Sequence, residues 1–180
     1  MKYRFSAFLL LISFVFISAQ KIYWSEGRKL TWEDFQSDNN KDKDSSVVAF
    51  ANVGMGYKAE TTTDPKAPVT IKVLVFFDVQ KSWKVDGITG EWTLNHEQLH
   101  FDIAELYGRI LRKKIFDEIK NSKDYQTKFE EIYKSNLAEY KRFQRLYDKE
   151  SNHGIDEEKQ LFYNKTVAEE LKKLDKYRSH

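Results

Sequence analysis

The sequence predicts an α+β fold, with a small antiparallel sheet in the N-terminal half followed by a three-helix unit. Two observations carry this prediction. Residues 21–90 contain short β-branched and aromatic runs separated by turn-like segments, and from Trp92 onward the apolar residues recur at helical spacing. Strand and helix signals that occupy separate halves of a chain favour α+β over an alternating α/β fold.

The first residues have the composition of an export leader. In "MKYRFSAFLLLISFVFISAQ", Lys2 and Arg4 precede an apolar run, and Ser18 and Ala19 are small residues where a signal peptidase would cut. The alternative is a membrane anchor, but the run is shorter than the ~20 apolar residues that a span needs. We therefore expect a signal peptide over residues 1–19, cleavage near Gln20, and an exported protein, periplasmic or extracellular.

Charge and cysteine content exclude several classes of function. The chain has 30 basic and 28 acidic residues, and without the two basic residues of the leader the numbers are equal. A neutral body with interspersed charges gives no electrostatic footprint for nucleic acid or anionic lipid. Because the chain has no cysteine, it cannot use disulfides or a thiol nucleophile. Histidine and carboxylate side chains are the only strong metal ligands left.

The N-terminal half contains one clear strand and several weaker ones. "VTIKVLVFFDVQ", residues 69–80, is β-branched and aromatic, and it is the strongest strand prediction. Residues 47–60 alternate loosely and are interrupted by glycines, as in a bulged strand. Two further short runs, "KIYW" and "SWKV", are predicted to pair alongside, and the segments 41–46 and 61–68 are predicted to be loops.

The C-terminal half is predicted to form three helices. The first is expected over about residues 92–120 and the second over about residues 124–148. The third is expected to start near Asp156, which is a good N-cap residue, and Gly154 lies where a helix-ending glycine belongs. Residues 20–180 are expected to form a single domain.

The first predicted helix carries the motif "HEQLH", in which His96 and His100 are four residues apart and Glu97 follows the first. At 100° per residue the two histidines lie about 40° apart on the helix, so both can reach one ion. The alternative is a pair of ordinary core histidines, but burying two imidazoles without a partner is costly. The H-E-x-x-H pattern therefore predicts a zinc site in which Glu97 is the general base.

A third metal ligand must come from another part of the fold. Asp102 and Glu105 point about 120° and 180° away from His96 on the same helix, so neither can reach its ion. His153, in the break between the second and third helices, is the favoured ligand. Asp148 is the alternative that remains open, and the other candidates, Glu150 and the terminal His180, are weaker.

The chain resembles a bacterial family filed as domain of unknown function 922, whose members are often labelled secreted zinc-dependent proteases. The similar blocks are "LTWEDF", "SWK", "NHEQLHFDIAE" and "YDKESNHG" followed by Gln160. The resemblance implies a zincin-like domain, and it implies that His153 belongs to the metal site.

These observations predict a secreted zinc-dependent hydrolase, most simply a metallopeptidase that acts on a peptide or protein. The alternatives are a non-catalytic envelope protein with a structural zinc site and a helical binding module without metal. A peptide substrate is expected to add to the edge of the strand at residues 69–77.

Four further side chains are expected near the predicted metal. Tyr140 or Tyr147 could donate to the oxyanion, but packing is the favoured role for each of them. Asp102 and Asp148 would accept hydrogen bonds from the ligand imidazoles.

Overall fold

A computed structural model of the protein describes residues 21–38 and 47–179. The predicted signal peptide, the predicted loop at residues 41–46 and His180 lie outside these ranges. Within them the predicted α+β architecture is confirmed, because a small antiparallel sheet occupies the N-terminal half and three helices follow it.

The strands form two small sheets instead of the single sheet that the sequence suggested. In chain order they are β1 (Lys21–Tyr23), β2 (Ala49–Phe50), β3 (Val53–Glu60), β4 (Thr70–Asp78) and β5 (Trp83–Lys84). The first sheet has the order β1-β4-β3, and the second is the pair β2-β5; all pairings are antiparallel. All four predicted strand regions therefore contain strands.

The separation of the two sheets occurs at Ala51 and Asn52. Strand β3 pairs with β4 in continuous register, without the bulge that its glycines suggested. The Asn52 amide donates to Ser82 Oγ at 2.9 Å, and the Asp78 amide donates to Asn52 O at 2.8 Å. These bonds direct the preceding strand β2 away from the first sheet.

Strand β4 lies in the middle of its sheet, and its second side is covered by described residues from Val73 to Asp78. Strand β3 pairs along one side of it, and β1 pairs with Phe76–Asp78 on the other. The Trp24 amide and the Arg112 guanidinium then donate to the carbonyls of Val75 and Val73 on that second side. The expectation that a substrate adds to this strand is therefore wrong.

The three helices are α1 (Glu91–Glu118), α2 (Ser122–Ser151) and α3 (Glu157–Lys173). Asp156 caps α3 as predicted, because its side chain accepts a hydrogen bond from the Lys159 amide. Gly154 adopts φ +81° in the break before α3, in the left-handed region that favours glycine. None of the described helices is both long enough and apolar enough to cross a bilayer.

Helix α1 packs closely against the first sheet and fixes the position of the histidines. Phe101 and Leu111 are fully buried in the core between the helices and the sheet. A Cβ atom at Gly108 would lie 2.6 Å from Val75 Cγ2, so only glycine permits this approach of helix and strand. Helix α2 is tied to β3 on the other side, since Tyr140 Oη donates to Val53 O at 3.2 Å.

A buried ionic cluster anchors the C-terminal half of α1. The Glu105 carboxylate is fully buried and accepts from Arg109 Nε at 2.9 Å and from Arg112 Nη1 at 3.0 Å. The two guanidinium groups also donate to the carbonyls of Leu171 and Tyr177, which hold the end of the chain against α1.

Candidate metal site

Three potential ligand atoms converge at the N-terminal half of α1. His96 Nε2 lies 3.2 Å from His100 Nε2, and Asp148 Oδ1 lies 3.4 Å and 3.0 Å from these two nitrogens. Among the described residues, this is the group of side chains that could hold a metal ion. The predicted pair His96 and His100 is therefore brought together, with Asp148 of α2 as the third member.

Hydrogen bonds at the far side of His100 leave its Nε2 available as a ligand. Gln144 Nε2 donates to His100 O at 2.9 Å and to Tyr140 Oη at 3.1 Å, which directs the amide oxygen toward His100 Nδ1 at 2.5 Å. Because an amide oxygen only accepts, Nδ1 must carry the proton. In the neutral ring, Nε2 then presents a lone pair to the ligand triangle, which is the group formed by His96 Nε2, His100 Nε2 and Asp148 Oδ1.

His96 is held in the same way by a different glutamine. Its Nδ1 faces Gln160 Oε1 at 3.0 Å and Tyr147 Oη at 2.6 Å. Gln160 Nε2 donates to Asn164 Oδ1, so its oxygen is left to accept from the ring and from the tyrosine hydroxyl. The Nε2 lone pair of His96 is therefore also directed into the triangle.

Asp148 supplies the negative charge of the group. Burial would raise the pKa of its carboxyl, but His100 and His96, in their protonated form, outweigh burial and hold that pKa well below its usual range. No described donor meets Oδ1 with good hydrogen-bond geometry, although His100 Nε2 is 3.0 Å away. When both rings are neutral and protonated at Nδ1, three acceptor atoms face one another with no donor among the described residues to satisfy them.

The dimensions of the triangle fit a tetrahedral cation. Zinc–ligand distances of about 2.0–2.1 Å place the ligand atoms of a tetrahedral site roughly 3.3 Å apart. The three separations of 3.0 to 3.4 Å bracket that value. A cation would neutralise the carboxylate and satisfy both imidazole lone pairs, so the donor set fits a metal ion.

Glu97 lies beside the triangle with its carboxylate held in place. Its side chain is buried, and Oε2 accepts from the Ala51 amide at 2.7 Å. No hydrogen bond from a described residue reaches the other oxygen, Oε1. The carboxylate lines the same cleft as His96 and His100. One oxygen is therefore fixed by the backbone, and the other can interact with a bound molecule.

His153 lies at the edge of the site, and its role as the third ligand stays a prediction. Its Nδ1 is 3.8 Å from Asp148 Oδ1, and the side chain is half-exposed. It belongs to a left-handed run, Asn152–Gly154, and a Cβ at Gly154 would approach the His96 ring to 3.1 Å. The geometry favours Asp148, the alternative that the sequence left open.

Comparison with known proteins gives one match. Residues 77–154 match a family described as bacterial protein of unknown function (DUF922). This match supports assignment of the chain to that family. No curated protein and no solved structure matches the chain.

The segment matched by the DUF922 family contains all the candidate ligands and the candidate general base. It begins at Phe77 in β4 and ends at Gly154, after the left-handed run. It therefore includes the ligand triangle, Glu97 and His153. The family description gives no activity, so the chemistry of the site has to be argued from its geometry.

The site opens into a cleft with a volume of about 780 Å³. Val48 and Phe50 of the β2 segment form part of one wall, and Lys141 and Arg145 of α2 lie on another. The cleft makes the triangle accessible to a molecule larger than water.

Two of the predicted supporting residues have other roles. Tyr147 is fully buried behind His96 and donates to Gln160 Oε1, so the oxyanion role is wrong for this residue. Asp102 lies on another face of α1, where it accepts from Trp24 Nε1 at 2.7 Å, so its predicted bond to a ligand imidazole is wrong. Tyr140 lines the cleft, but its hydroxyl donates to Val53 O; burial raises its pKa to about 12.

Gln144 and Gln160 are the functional residues that the sequence did not identify as imidazole partners. Gln144 lies one helical turn before Asp148 on α2, and that spacing was the available signal. Gln160 belongs to the next helix, so its contact with His96 depends on the packing of α3.

Proposed function

We propose that the protein is a metal-dependent hydrolase, most specifically a zinc metallopeptidase. The observation that carries the proposal is the convergence of two imidazole lone pairs and a carboxylate beside Glu97 in an open cleft. The ligand set of two nitrogens and one oxygen, in a chain without cysteine, is one that zinc commonly takes in catalytic sites.

His96, His100 and Asp148 would hold the ion, and three protein ligands leave a fourth position for water or substrate. When bound, zinc would lower the pKa of a coordinated water toward ~7 and polarise a carbonyl group. Gln144 and Gln160 hold the two imidazoles in the required tautomer by accepting from Nδ1.

Glu97 is proposed as the general base. Its Oε2 is held by the Ala51 amide, so Oε1 is the atom that would accept a proton from water and return it to the leaving amine. The buried setting keeps the carboxylate in one orientation, which favours proton transfer over a defined path. His153, at the edge of the site, would assist by a hydrogen bond, whereas as a fourth ligand it would close the site as in a structural metal centre.

A peptide substrate is supported by the edge of the β2 segment that lines the cleft. The Val85 amide donates to Val48 O at 2.8 Å, and Ala49 is paired opposite Lys84. Alternate residues of an antiparallel strand direct their N–H and C=O groups to opposite edges, so the backbone N–H and C=O of Ala49 point away from β5. That is the edge from which the Ala51 amide reaches Glu97, so an extended chain could pair there beside the general base.

We further propose that the protein acts outside the cytoplasm, because its first residues have the pattern of a cleaved leader. Its partner would be a peptide or protein substrate, and nucleic acid is not expected. The absence of cysteine is compatible with an exported protein that relies on packing and a metal instead of disulfides.

The proposed function is tested by a paired measurement on wild type and Glu97→Gln. Glutamine keeps the size of the side chain and removes the base, so zinc content should stay the same while turnover falls by ~10²–10⁴. Zinc would be measured by elemental analysis and turnover with a library of internally quenched peptides. A variant that retains both zinc and the full rate would show that the general-base mechanism is incorrect.

The alternative of a structural metal makes a different prediction for the same pair of proteins. A non-catalytic site would bind zinc in both and cleave no peptide in either. The opening of the triangle into a cleft favours the catalytic form, because structural zinc sites are closed by a fourth protein ligand.

A further inference from the structure

The α2 wall of the cleft carries two cations that no carboxylate in the described part of the chain neutralises. Lys141 and Arg145 line the cleft, and neither forms an ion pair with any carboxylate of the described residues. Earlier on the same helix, Lys128 and Lys134 are paired with acidic residues one turn away. Arg142 and Lys149 of α2 likewise form no ion pair with the described residues, so what distinguishes Lys141 and Arg145 is that they line the cleft.

The spacing of these cations is unfavourable for the helix itself. Lys141, Arg145 and Lys149 are four residues apart in succession, so like charges are neighbours along one side of α2. Like-charge pairs at this spacing destabilise a helix. Helix stability therefore does not explain this arrangement, whereas an anion bound in the cleft would compensate for it.

Helix geometry directs the two cations toward the candidate metal. Relative to Asp148, Lys141 lies about 20° around the helix and Arg145 about 60°, so all three project from a similar face. Lys141 is about 10 Å from Asp148 along the axis, and Arg145 is about 5 Å from it. Arg142 lies about 120° away and does not line the cleft, which makes it a matched control.

The cleft is also lined by a carboxylate that comes from another element. Glu157 lines the cleft at the start of α3, which follows the C-terminal end of α2 in the chain. In chain order, the ligand Asp148 therefore lies between the two cations and this carboxylate. A substrate with one negative group would therefore be attracted in only one of the two directions along the cleft.

We propose that Lys141 and Arg145 form a specificity subsite for a carboxylate side chain of the peptide substrate. The proposal rests on the proposed hydrolase function, and it adds the chemical class of the substrate. An extended peptide advances about 3.3 Å per residue, so a cation about 10 Å from the ligand Asp148 corresponds to two or three residues from the bond that is cut. The substrate thus carries Asp or Glu at that distance, on one side only.

The test uses internally quenched decapeptides in which a single Glu or Gln is moved through each position. When the Glu stands at one position, two or three residues from the cleaved bond, wild type should cleave that peptide with a kcat/KM about 3–10-fold higher than the matching Gln peptide. The double variant K141Q/R145Q should lose this preference, whereas R142Q, with a cation removed from another face of α2, should retain it. Equal rates for Glu and Gln peptides in wild type would overturn the proposal and leave the hydrolase intact.

A binding measurement separates failure of the subsite from failure of the enzyme. Zinc-loaded Glu97→Gln protein would be titrated into rhodamine-labelled Glu and Gln decapeptides, with fluorescence anisotropy as the readout. The Glu peptide should bind about 3–10-fold more tightly than the Gln peptide, and this preference should weaken at high salt. It should disappear in a protein that combines Glu97→Gln with K141Q and R145Q. Selective binding without cleavage in wild type would support the subsite and reject hydrolysis; absence of charge selectivity would reject the subsite.

Discussion

Helix α1 carries two buried polar clusters that differ in how they are satisfied. In its C-terminal half, Glu105 accepts from Arg109 and Arg112, and the guanidinium groups also bond to backbone carbonyls. In its N-terminal half, His96 and His100 direct bare nitrogens at a carboxylate from α2. Every charge of the first cluster is met within the protein, while the second is complete only with a cation.

This comparison explains why we interpret the Glu105 cluster as structural and the histidine cluster as functional. A buried polar group without a partner costs free energy, so native proteins retain such groups where a ligand completes them. The supporting bonds at the two histidines are complete at Nδ1 and incomplete at Nε2. The missing hydrogen-bond partners are therefore confined to the imidazole atoms that face the cleft.

The largest effect is expected from breaking the satisfied cluster. Glu105→Leu keeps most of the side-chain volume but leaves two guanidinium groups without their buried carboxylate, which should lower the free energy of unfolding by ~3–5 kcal/mol. Chemical denaturation with the metal removed by a chelator measures it. Asp148→Leu, tested in the same metal-free state, should change stability much less, and equal losses in the two variants would contradict the distinction.

An intermediate effect is expected from the supporting glutamines. Gln144→Ala removes the acceptor that fixes the His100 tautomer, so zinc affinity should fall about 10–100-fold while the ligands themselves remain. Competition with a chromophoric chelator gives the affinity. Gln80→Ala, which removes an exposed glutamine on the sheet side, is the control; a similar loss there would mean that the effect is not specific to the site.

Local spacing predicted the parts of the molecule that depend on one element. The β-branched run gave β4, and the motif placed His96 and His100 on one face of α1, because neighbours on a helix follow from sequence alone. The division into two sheets depends on the contacts of Asn52 with Ser82 and Asp78, which join distant segments and leave no local pattern.

The third ligand shows the same limit. The sequence favoured His153 because it lies in the break between two helices, and the second helix was predicted to end at about residue 148. Instead α2 continues to Ser151, so Asp148 stays on its inner face, and the left-handed turn that follows holds His153 at the edge of the site. Three residues of additional helix therefore change which side chain faces the histidines.

The central claim is that His96, His100 and Asp148 hold one metal ion, and metal content tests it most directly. Purified wild type, Asp148→Ala and His153→Ala would be equilibrated with zinc, freed of excess ion and measured by elemental analysis together with protein concentration. We expect one zinc per chain in wild type, loss of most of it in Asp148→Ala, and a smaller loss in His153→Ala. Wild type without zinc, or full zinc retention in Asp148→Ala, would contradict the account.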